Sequence, residues 1–325
     1  MQRFLTFIAS ATLTMGAFVA PAAHADAEYP SRPITLVVPF APGGGADLTA
    51  RLVSEPLSKK LGQPIIIENR PGGGGTVGAR YVADAKPDGY TLLYTTPGQQ
   101  LTNPFLMDSL PYDYINGLTP VSRIAIVPSV LVVNKDVEAT TIGELIELAK
   151  AKPGNINFAS AGIGASSHLS GELFKVMADV DITHVPYRGT GPAVQDVIGG
   201  RVQMAIDSVT VYLPHIASGL VRPLGVTTLH TLDSLPEVPP IADELEGFDS
   251  SPVNYLSAPG QTPAAIVETL NQALNEVLET PDVREQMLNV GLLPEGNTVE
   301  EMQALVASEQ EKWKRVIEES GATMD

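Results

Sequence analysis

Short apolar runs alternate with longer stretches of mixed polarity along most of the chain. Residues 34–38, 65–67 and 90–94 form apolar runs that predict buried strands. Between the first two runs, apolar residues recur along one side of a predicted helix over residues 47–61. Such alternation is typical of parallel sheets covered by helices. The pattern therefore predicts an α/β protein.

A second series of elements follows a long apolar run at residues 124–133, which is placed to carry the chain from one lobe to another. Residues 254–256 form a strand that is placed to bring the chain back. About 300 residues beyond the N-terminal segment suit two domains of roughly 100–150 residues each. The strands predicted in the second series are 157–159, 183–185, 202–206 and 223–227.

Two glycine-rich segments stand where a predicted strand gives way to a helix. The first covers residues 39–47 and the second covers residues 162–168. Small residues leave the first backbone N–H groups of the next helix uncovered, and those donors attract an anion together with the helix dipole. Two such helix ends, one from each lobe, are predicted to grip a carboxylate.

The first glycine-rich segment admits other interpretations. A dinucleotide-binding fold requires a third glycine where this chain has Leu48, and no Gly-Lys-Ser/Thr sequence supports a phosphate loop. A tight turn that needs glycine only for its positive φ is a further alternative. Asp47 is suited both to capping the helix and to contacting a ligand or a water.

The second segment resembles a hydrolase cluster because Ser166, Ser167 and His168 are adjacent. Neighbouring side chains at a helix start point in different directions, however, and the sequence around these serines is not a G-x-S-x-G elbow. We therefore expect the two hydroxyl groups to cap the helix and to donate hydrogen bonds to an anion.

Two further positions carry charge next to predicted strands. Arg188 lies in the turn Tyr187-Arg188-Gly189, where it is suited to a bidentate pair with a carboxylate or to a salt bridge between lobes. Asp207 follows a strand, at a cleft position of an open parallel sheet. It is suited to receiving a ligand amine, hydroxyl or water, or to capping a helix.

Metal and cofactor binding receive no support from the sequence. His184, His215 and His230 are isolated and lack metal-ligand spacing, so each is predicted to be structural. The chain contains no cysteine, which excludes disulfides and thiolate metal sites. We predict no metal ion and no cofactor.

The N-terminus predicts export. Arg3 precedes a mostly apolar stretch, and a small-x-small cleavage site ends at Ala25. We predict a signal peptide at residues 1–25 and a mature periplasmic chain that begins at Asp26. An uncleaved membrane anchor is the alternative, but polar residues dilute the apolar stretch.

The chain is strongly acidic. Without the first 25 residues, which hold one arginine and no acid, its net charge moves from −17 to −18. Nucleic acid and anionic membrane surfaces are poor partners for such a field. Because the same field repels a carboxylate at long range, capture of an anion must depend on local, oriented donors.

Seven short motifs follow one another along the mature chain. They are YPSRPI (29–34), VPFAPGG (38–44), ENRPG (68–72), PDGYTL (87–92), SHL (167–169), HVPYRG (184–189) and APGQTP (258–263). Together they resemble the substrate-binding proteins of tripartite tricarboxylate transporters, the Bug family. The resemblance covers essentially the whole mature chain.

The resemblance implies a two-lobed periplasmic binding protein of the type II-like class. Each lobe is expected to be a mainly parallel sheet flanked by helices, with the ligand cleft between the lobes. The first lobe is expected at residues 26–125 and 251–325, and the second at residues 126–250. Such a protein closes over a small organic acid and performs no chemistry on it.

The family's binding loops correspond to particular residues here. The first-loop candidates are Phe40, Ala41, Pro42, Gly43, Gly44, Gly45 and Asp47. The second-loop candidates are Ala161, Gly164, Ala165, Ser166, Ser167 and His168. The resemblance also implies that Tyr187, Arg188, Gly189 and Asp207 line the cleft, and that residues 94–98, with Thr95 among them, face the distal end of the ligand.

The expected partners are a small carboxylate ligand and the membrane permease subunits of a tripartite tricarboxylate-type transporter. The protein is expected to be a monomer that binds no nucleic acid. A co-receptor that reports the same ligand to a membrane sensor kinase is one alternative, and an exported hydrolase is another. Dicarboxylates, citrate-like acids, aromatic acids and amino acids all remain open as ligands.

Overall fold

The computed structural model describes residues 29–43, 45–187 and 189–324. The predicted signal peptide, Gly44 and Arg188 lie outside the described residues. The strands are β1 (Ile34–Val38), β2 (Ile65–Asn69), β3 (Thr91–Thr95), β4 (Leu118–Ile126), β5 (Ser129–Asn134), β6 (Asn157–Ser160), β7 (Thr183–Pro186), β8 (Met204–Ser208), β9 (Val221–Val226), β10 (Val253–Pro259) and β11 (Leu293–Pro294). The helices are α1 (Gly45–Leu61), α2 (Thr76–Ala83), α3 (Asn103–Leu106), α4 (Ile142–Ala151), α5 (Ser166–Ala178), α6 (Thr190–Ile198), α7 (Val209–Ala217), α8 (Ala264–Leu278), α9 (Pro281–Asn289) and α10 (Val299–Ser320).

Six of the described strands form the first sheet, in the order β11-β4-β10-β3-β1-β2. β1 is parallel to β2 and β3, with Leu36 opposite Ile67 on one side and Leu92 on the other. β10 is antiparallel to β3 and β4. The apolar run at residues 65–67 was expected to be buried, but β2 lies at the sheet edge and Ile66 is 54% exposed.

The second sheet joins five of the described strands in the order β7-β6-β8-β5-β9. β6 is parallel to β7 and β8, whereas β5 is antiparallel to β8 and β9. The α/β class is confirmed, but both sheets are mixed rather than mainly parallel. The reason is that β10, which brings the chain back, and β5, which begins the second sheet, run against their neighbours.

The chain passes between the sheets twice, and one helix packs across them. β4 of the first sheet ends at Ile126, and β5 of the second begins at Ser129. α10 places Met302 and Trp313 in one buried cluster with Phe158 of the second sheet. A separate cluster lies between the first sheet, α1 and α8.

No helix in the described part of the chain combines the length and the apolar character needed to cross a bilayer.

Candidate functional site

Both glycine-rich segments lie at the carboxyl ends of parallel strands. The first loop (residues 39–44) follows β1, and the second loop (residues 161–165) follows β6. Residues that follow parallel strands meet at one edge of a sheet, where ligands bind in open α/β sheets. The segments after β2, β3, β7 and β8 therefore join the two loops at these edges.

Asp47 organises the first loop from the first turn of α1. Its buried Oδ2 accepts hydrogen bonds from the Gly43 N–H at 2.9 Å and from Arg51 Nε at 3.0 Å. Its Oδ1 accepts from Asn69 Nδ2 at 2.9 Å, and the same amide donates to the Phe40 carbonyl. The Arg51 guanidinium and the Gly43 N–H lower the pKa of Asp47 to about 2. We therefore interpret Asp47 as the anchor of the loop.

The tip of the first loop is exposed and consists of small residues. Ala41, Pro42 and Gly43 are exposed, and Gly43 has φ 84°, a left-handed conformation that favours glycine. α1 begins at Gly45, where the space that a Cβ would take is open. The first loop therefore presents small, accessible backbone at a helix start.

The second loop is held by side chains of α5. The buried Ser167 Oγ accepts a hydrogen bond from the Ala161 N–H at 3.0 Å, and the buried His168 Nδ1 accepts from the Gly164 N–H at 3.1 Å. No hydrogen bond joins Ser166 or Ser167 to His168 within the described residues. The hydrolase interpretation thus lacks the nucleophile–base pair that it requires.

The start of α5 offers uncapped donors. Ala165 occupies the N-cap position and makes no side-chain cap hydrogen bond in the described part of the chain. The first N–H groups of a helix lack intrahelical partners, and the helix dipole favours an anion beside them. Ser166, the first residue of α5, also lines a cavity of about 10 Å³ together with Thr102 and Pro252.

A pair of histidines, with His168 buried and His184 half-buried, lies beneath the second loop. The rings of His168 and His184 stack with their centroids 4.0 Å apart, and His184 Nε2 is 2.6 Å from Ser160 Oγ. Burial, with Lys175 nearby, lowers the pKa of both histidines to about 4, so both rings are neutral at pH 7. The interpretation of His184 as isolated is therefore wrong.

Glu172 lies beside this pair, and the three residues resemble a metal site. One ligand atom from each of His168, Glu172 and His184 lies within 4.8 Å of the others. However, His168 Nδ1 already accepts the Gly164 N–H, and the two rings lie 20° from parallel. Lone pairs in the planes of stacked rings do not converge on one ion, so the arrangement does not fit a metal.

The turn after β7 is tied to the second loop and to α6. The Gly189 N–H donates to the Ala161 carbonyl at 2.9 Å. The Tyr187 hydroxyl donates to Asp196 Oδ2 at 2.7 Å, and burial beside that carboxylate raises the pKa of Tyr187 to about 12. The Tyr187 hydroxyl is therefore bound within its own half of the molecule.

Asp207 lies within β8 rather than after a strand that ends at residue 206. β8 extends to Ser208 because its pairing with β5 continues to that residue. Asp207 Oδ1 accepts from the Ser208 N–H at 2.7 Å, and burial raises the pKa of Asp207. A half-buried carboxyl group thus stands at the carboxyl edge of the second sheet.

Thr95 is fully buried inside the first sheet. Its Oγ1 donates to Ser257 Oγ on β10 at 2.8 Å. Its hydroxyl serves the pairing of β3 with β10, and the expectation that Thr95 faces a ligand stays a prediction. Gln99, which follows it, is also buried, and its Oε1 accepts from the Thr96 N–H.

Sequence reasoning missed the residues that support the loops. Asn69 belongs to one of the seven motifs but was given no role, and Arg51 was not considered. The four-residue spacing of Asp47 from Arg51, and of His168 from Glu172, is the sequence signal that places each pair on one face of a helix.

A groove of about 490 Å³ lies between α10 and the beginning of β4. It contains none of the sequence-predicted site residues. Amide side chains form much of its lining, namely Gln100, Asn116, Gln261, Gln303 and Gln310.

Comparison with known proteins identifies relatives over nearly the whole chain. The family described as "Tripartite tricarboxylate transporter family receptor" matches residues 49–322. Protein BugT of Bordetella pertussis is 36% identical over 326 residues, which span 100% of this chain and 99% of that protein.

Two solved structures share the fold. "R. palustris Rpa4515 with adipate" is 36% identical with a TM-score of 0.79, covering 91% of this chain and 99% of the other. MatC (Rpa3494) from Rhodopseudomonas palustris with bound malate is 35% identical with a TM-score of 0.75, covering 89% and 100%. The chain belongs to the tripartite tricarboxylate transporter family of periplasmic solute receptors.

Proposed function

We propose that this receptor binds a small carboxylate between the first loop and the start of α5. The observation that carries the proposal is the start of α5, whose N-cap residue Ala165 provides no side-chain cap. Ser167 and His168 fix the adjoining loop by accepting its N–H groups. The adipate and malate complexes of related receptors support a carboxylate as the ligand class.

The proposed donors are backbone N–H groups and hydroxyls rather than basic side chains. Gly45 supplies small, exposed backbone at the start of α1 on one side, next to Gly43, whose own N–H is held by Asp47, and Ser166 and Ser167 begin the helix on the other. Oriented dipoles act over a short range, so they attract a carboxylate even in a protein of net charge −17. Gly44 and Arg188 remain predictions from the sequence.

We also propose that two lobes close over the ligand, with boundaries at residues 26–125 plus 251–325 and at residues 126–250. The passage of the chain from β4 to β5, and its return along β10, supports this division. The closed complex would then deliver the acid to the permease of a tripartite tricarboxylate-type transporter, which the family membership supports.

Calorimetry on the purified mature protein tests the binding proposal. The panel contains succinate, malate, adipate, citrate, benzoate and glutamate, after a thermal-shift screen of the same acids. We expect at least one acid to raise the melting temperature, because a ligand at 100 times its Kd stabilises the folded state by about 2.7 kcal/mol. No binding by any carboxylate, or turnover of a generic ester, would contradict the proposal.

Closure is tested by distances between labels, because the chain has no native cysteine. Ala41→Cys and Ile163→Cys place spin labels on exposed tips of the two loops. We expect the distance between them to shorten when the acid identified by calorimetry is added. The control pair Ala41→Cys and Lys59→Cys lies within the proposed first lobe and should show no change.

Delivery is tested by uptake of the same acid, radiolabelled, in cells that lack this receptor and in cells that regain it. Restored uptake supports transport. A normal rate without the receptor would contradict the permease assignment while leaving binding intact.

A further inference from the structure

The buried hydroxyl group of Thr102 has no hydrogen-bond partner within the described residues. Thr102 ends the single helical turn Gly98–Thr102 that follows β3, and only 1% of the residue is exposed. A buried hydroxyl group costs free energy when it makes no hydrogen bond, so such groups are uncommon in folded proteins. The Thr102 hydroxyl is therefore available to an acceptor that is not part of the protein.

Thr102 lines the small cavity that Ser166 also lines at the start of α5. The two residues reach the cavity from different sheets, because Thr102 follows β3 of the first sheet and α5 follows β6 of the second. The first N–H groups of α5 have no side-chain cap and favour an acceptor that carries negative charge. A hydroxyl donor and a helix start therefore border the same cavity.

The other polar side chains that line this cavity already have partners. The hydroxyl groups of Ser250 and Ser251 are hydrogen-bonded to those of Ser170 and Thr227. The Glu309 carboxylate is ion-paired within α10 and also accepts a hydrogen bond there. The Thr102 hydroxyl and the start of α5 are thus the donors left for a ligand.

The size of the cavity limits what these donors can bind. Its volume of about 10 Å³ matches the space that one water-sized oxygen needs. A whole organic acid does not fit, but one oxygen of a carboxylate does. Leu101 and Leu169 contribute apolar walls, and a hydrogen bond in such surroundings is stronger than in water.

We infer that Thr102 is a ligand-binding residue whose hydroxyl group donates a hydrogen bond to one oxygen of the carboxylate at the start of α5. The inference rests on the proposed function. The bound oxygen would lie between the turn that follows β3 and the helix that follows β6, and so would join the two sheets through the ligand. Every candidate acid carries this carboxylate, so Thr102 contributes to the affinity for all of them.

Calorimetry on the wild type, Thr102→Val and Thr102→Ser tests this inference. The probes are succinate, malate, adipate, citrate, benzoate and glutamate. Valine has nearly the shape of threonine but no hydroxyl group, so each acid that the wild type binds should lose about tenfold in affinity or more. Thr102→Ser keeps the hydroxyl group and should stay within about threefold of the wild type.

Urea unfolding without ligand separates a carboxylate oxygen from a resident water. Thr102→Val removes a hydroxyl group that has no protein partner, so the unfolding midpoint should stay the same or rise. The control variant Thr262→Val removes a buried hydroxyl group that donates to the Pro259 carbonyl at 2.7 Å. Its midpoint should fall while its affinity for the acids stays unchanged.

The outcomes distinguish this inference from the proposed function. If the wild type binds acids and Thr102→Val binds them equally well, the inference is overturned while carboxylate binding stands. A lower midpoint of Thr102→Val with unchanged affinity would assign the cavity to a resident water, and an equal loss of affinity in Thr102→Ser would exclude the hydroxyl group as the cause; either result overturns the inference. If the wild type binds none of the six acids, the proposed function and this inference fail together.

Discussion

The two loops of the proposed site are held in place by different chemistry. In the first, one buried carboxylate, Asp47, accepts hydrogen bonds from a loop N–H group and from Arg51 and Asn69. In the second, the acceptors are neutral: the hydroxyl of Ser167 and the imidazole of His168 each accept a hydrogen bond from an N–H group of the loop. One loop therefore has a charged anchor, and the other has uncharged ones.

This difference shows how the two loops of the proposed site are fixed in place by their own side chains. The side chains that look reactive in the sequence, Asp47, Ser167 and His168, are engaged by the backbone of their own loops. The N–H groups at the beginnings of α1 and α5 are then left to meet a ligand. Because a carboxylate and an imidazole titrate at different pH, the two anchors are expected to fail under different conditions.

The largest expected effect is the acid sensitivity of the second loop. Burial among His184, Glu172 and Lys175 lowers the pKa of His168 from 6.5 to about 4. The unfolded chain therefore binds a proton in this range that the folded chain does not, so stability falls as the pH drops from 6.5 to 4. For one such histidine the free energy of unfolding falls by an amount on the order of 3 kcal/mol.

The carboxylate anchor, Asp47, titrates at a lower pH than His168. The pKa of Asp47 is lowered from 3.8 to about 2, so its contribution to stability is complete above pH 3.8 and is lost as the pH falls to 2.

The prediction for His168 is tested by urea unfolding at pH 7, 5.5 and 4. The quantity measured is the difference in the free energy of unfolding between wild type and His168→Gln, whose amide oxygen replaces Nδ1 as an acceptor. The difference should shrink towards pH 4; an equal difference at all three pH values contradicts a buried neutral His168.

Removal of the charged anchor is the next largest effect. Asp47→Ala deprives Gly43, Arg51 and Asn69 of their shared acceptor, and we expect the free energy of unfolding to fall by about 2–3 kcal/mol. Ligand affinity should fall as well, because the first loop loses its fixed conformation. Asp47→Asn, which keeps the shape and one carbonyl acceptor, should lose less. Equal losses in the two variants would assign the whole effect to the charge, whereas wild-type stability in Asp47→Asn would show that the charge is unimportant.

The general architecture was predictable because it depends on local periodicity. Alternating buried strands and helices indicated an α/β fold, and the apolar run at 124–133 indicated the passage between sheets. The direction of β5 and β10 was not predictable, since their pairing joins distant segments, such as Ser257 with Leu93. The helix α7 was missed because its apolar sequence contains Pro214.

The positions of the two loops of the candidate site could be predicted from the sequence, whereas the contacts of their side chains could not. Glycines and strand ends placed the two loops correctly at the sheet edges. The stacking of His168 on His184 was not foreseen, because it joins a helix with a strand. The hydrogen bond of Thr95 with Ser257 was not foreseen either, because it joins two strands that are distant in the sequence.

Replacing one glycine of each loop with alanine should separate the cost of backbone strain from the cost of a steric clash. Gly43 has φ 84° with open space around it, so Gly43→Ala should cost only the left-handed strain, about 1 kcal/mol. Gly164 has φ 77°, and the added Cβ of Gly164→Ala must also displace Met324. This variant should therefore cost about 1 kcal/mol more than Gly43→Ala. Adding Met324→Ala should recover that excess in the second variant and not in the first, as urea unfolding would show.

The smallest expected effect concerns affinity. Ser167→Ala removes one neutral hydrogen bond to the Ala161 N–H, worth about 1 kcal/mol, so it should weaken every carboxylate by roughly fivefold. The loss is uniform because the loop that Ser167 fixes meets the group that all these ligands share. Asp207→Ala should instead reorder the acids, because it relieves repulsion of a second carboxylate and removes an acceptor for an amine or hydroxyl. Calorimetry of both variants against one panel of acids measures the ranking of the acids by affinity. If Ser167→Ala reorders the acids while Asp207→Ala weakens them all equally, the roles proposed for the two residues are reversed.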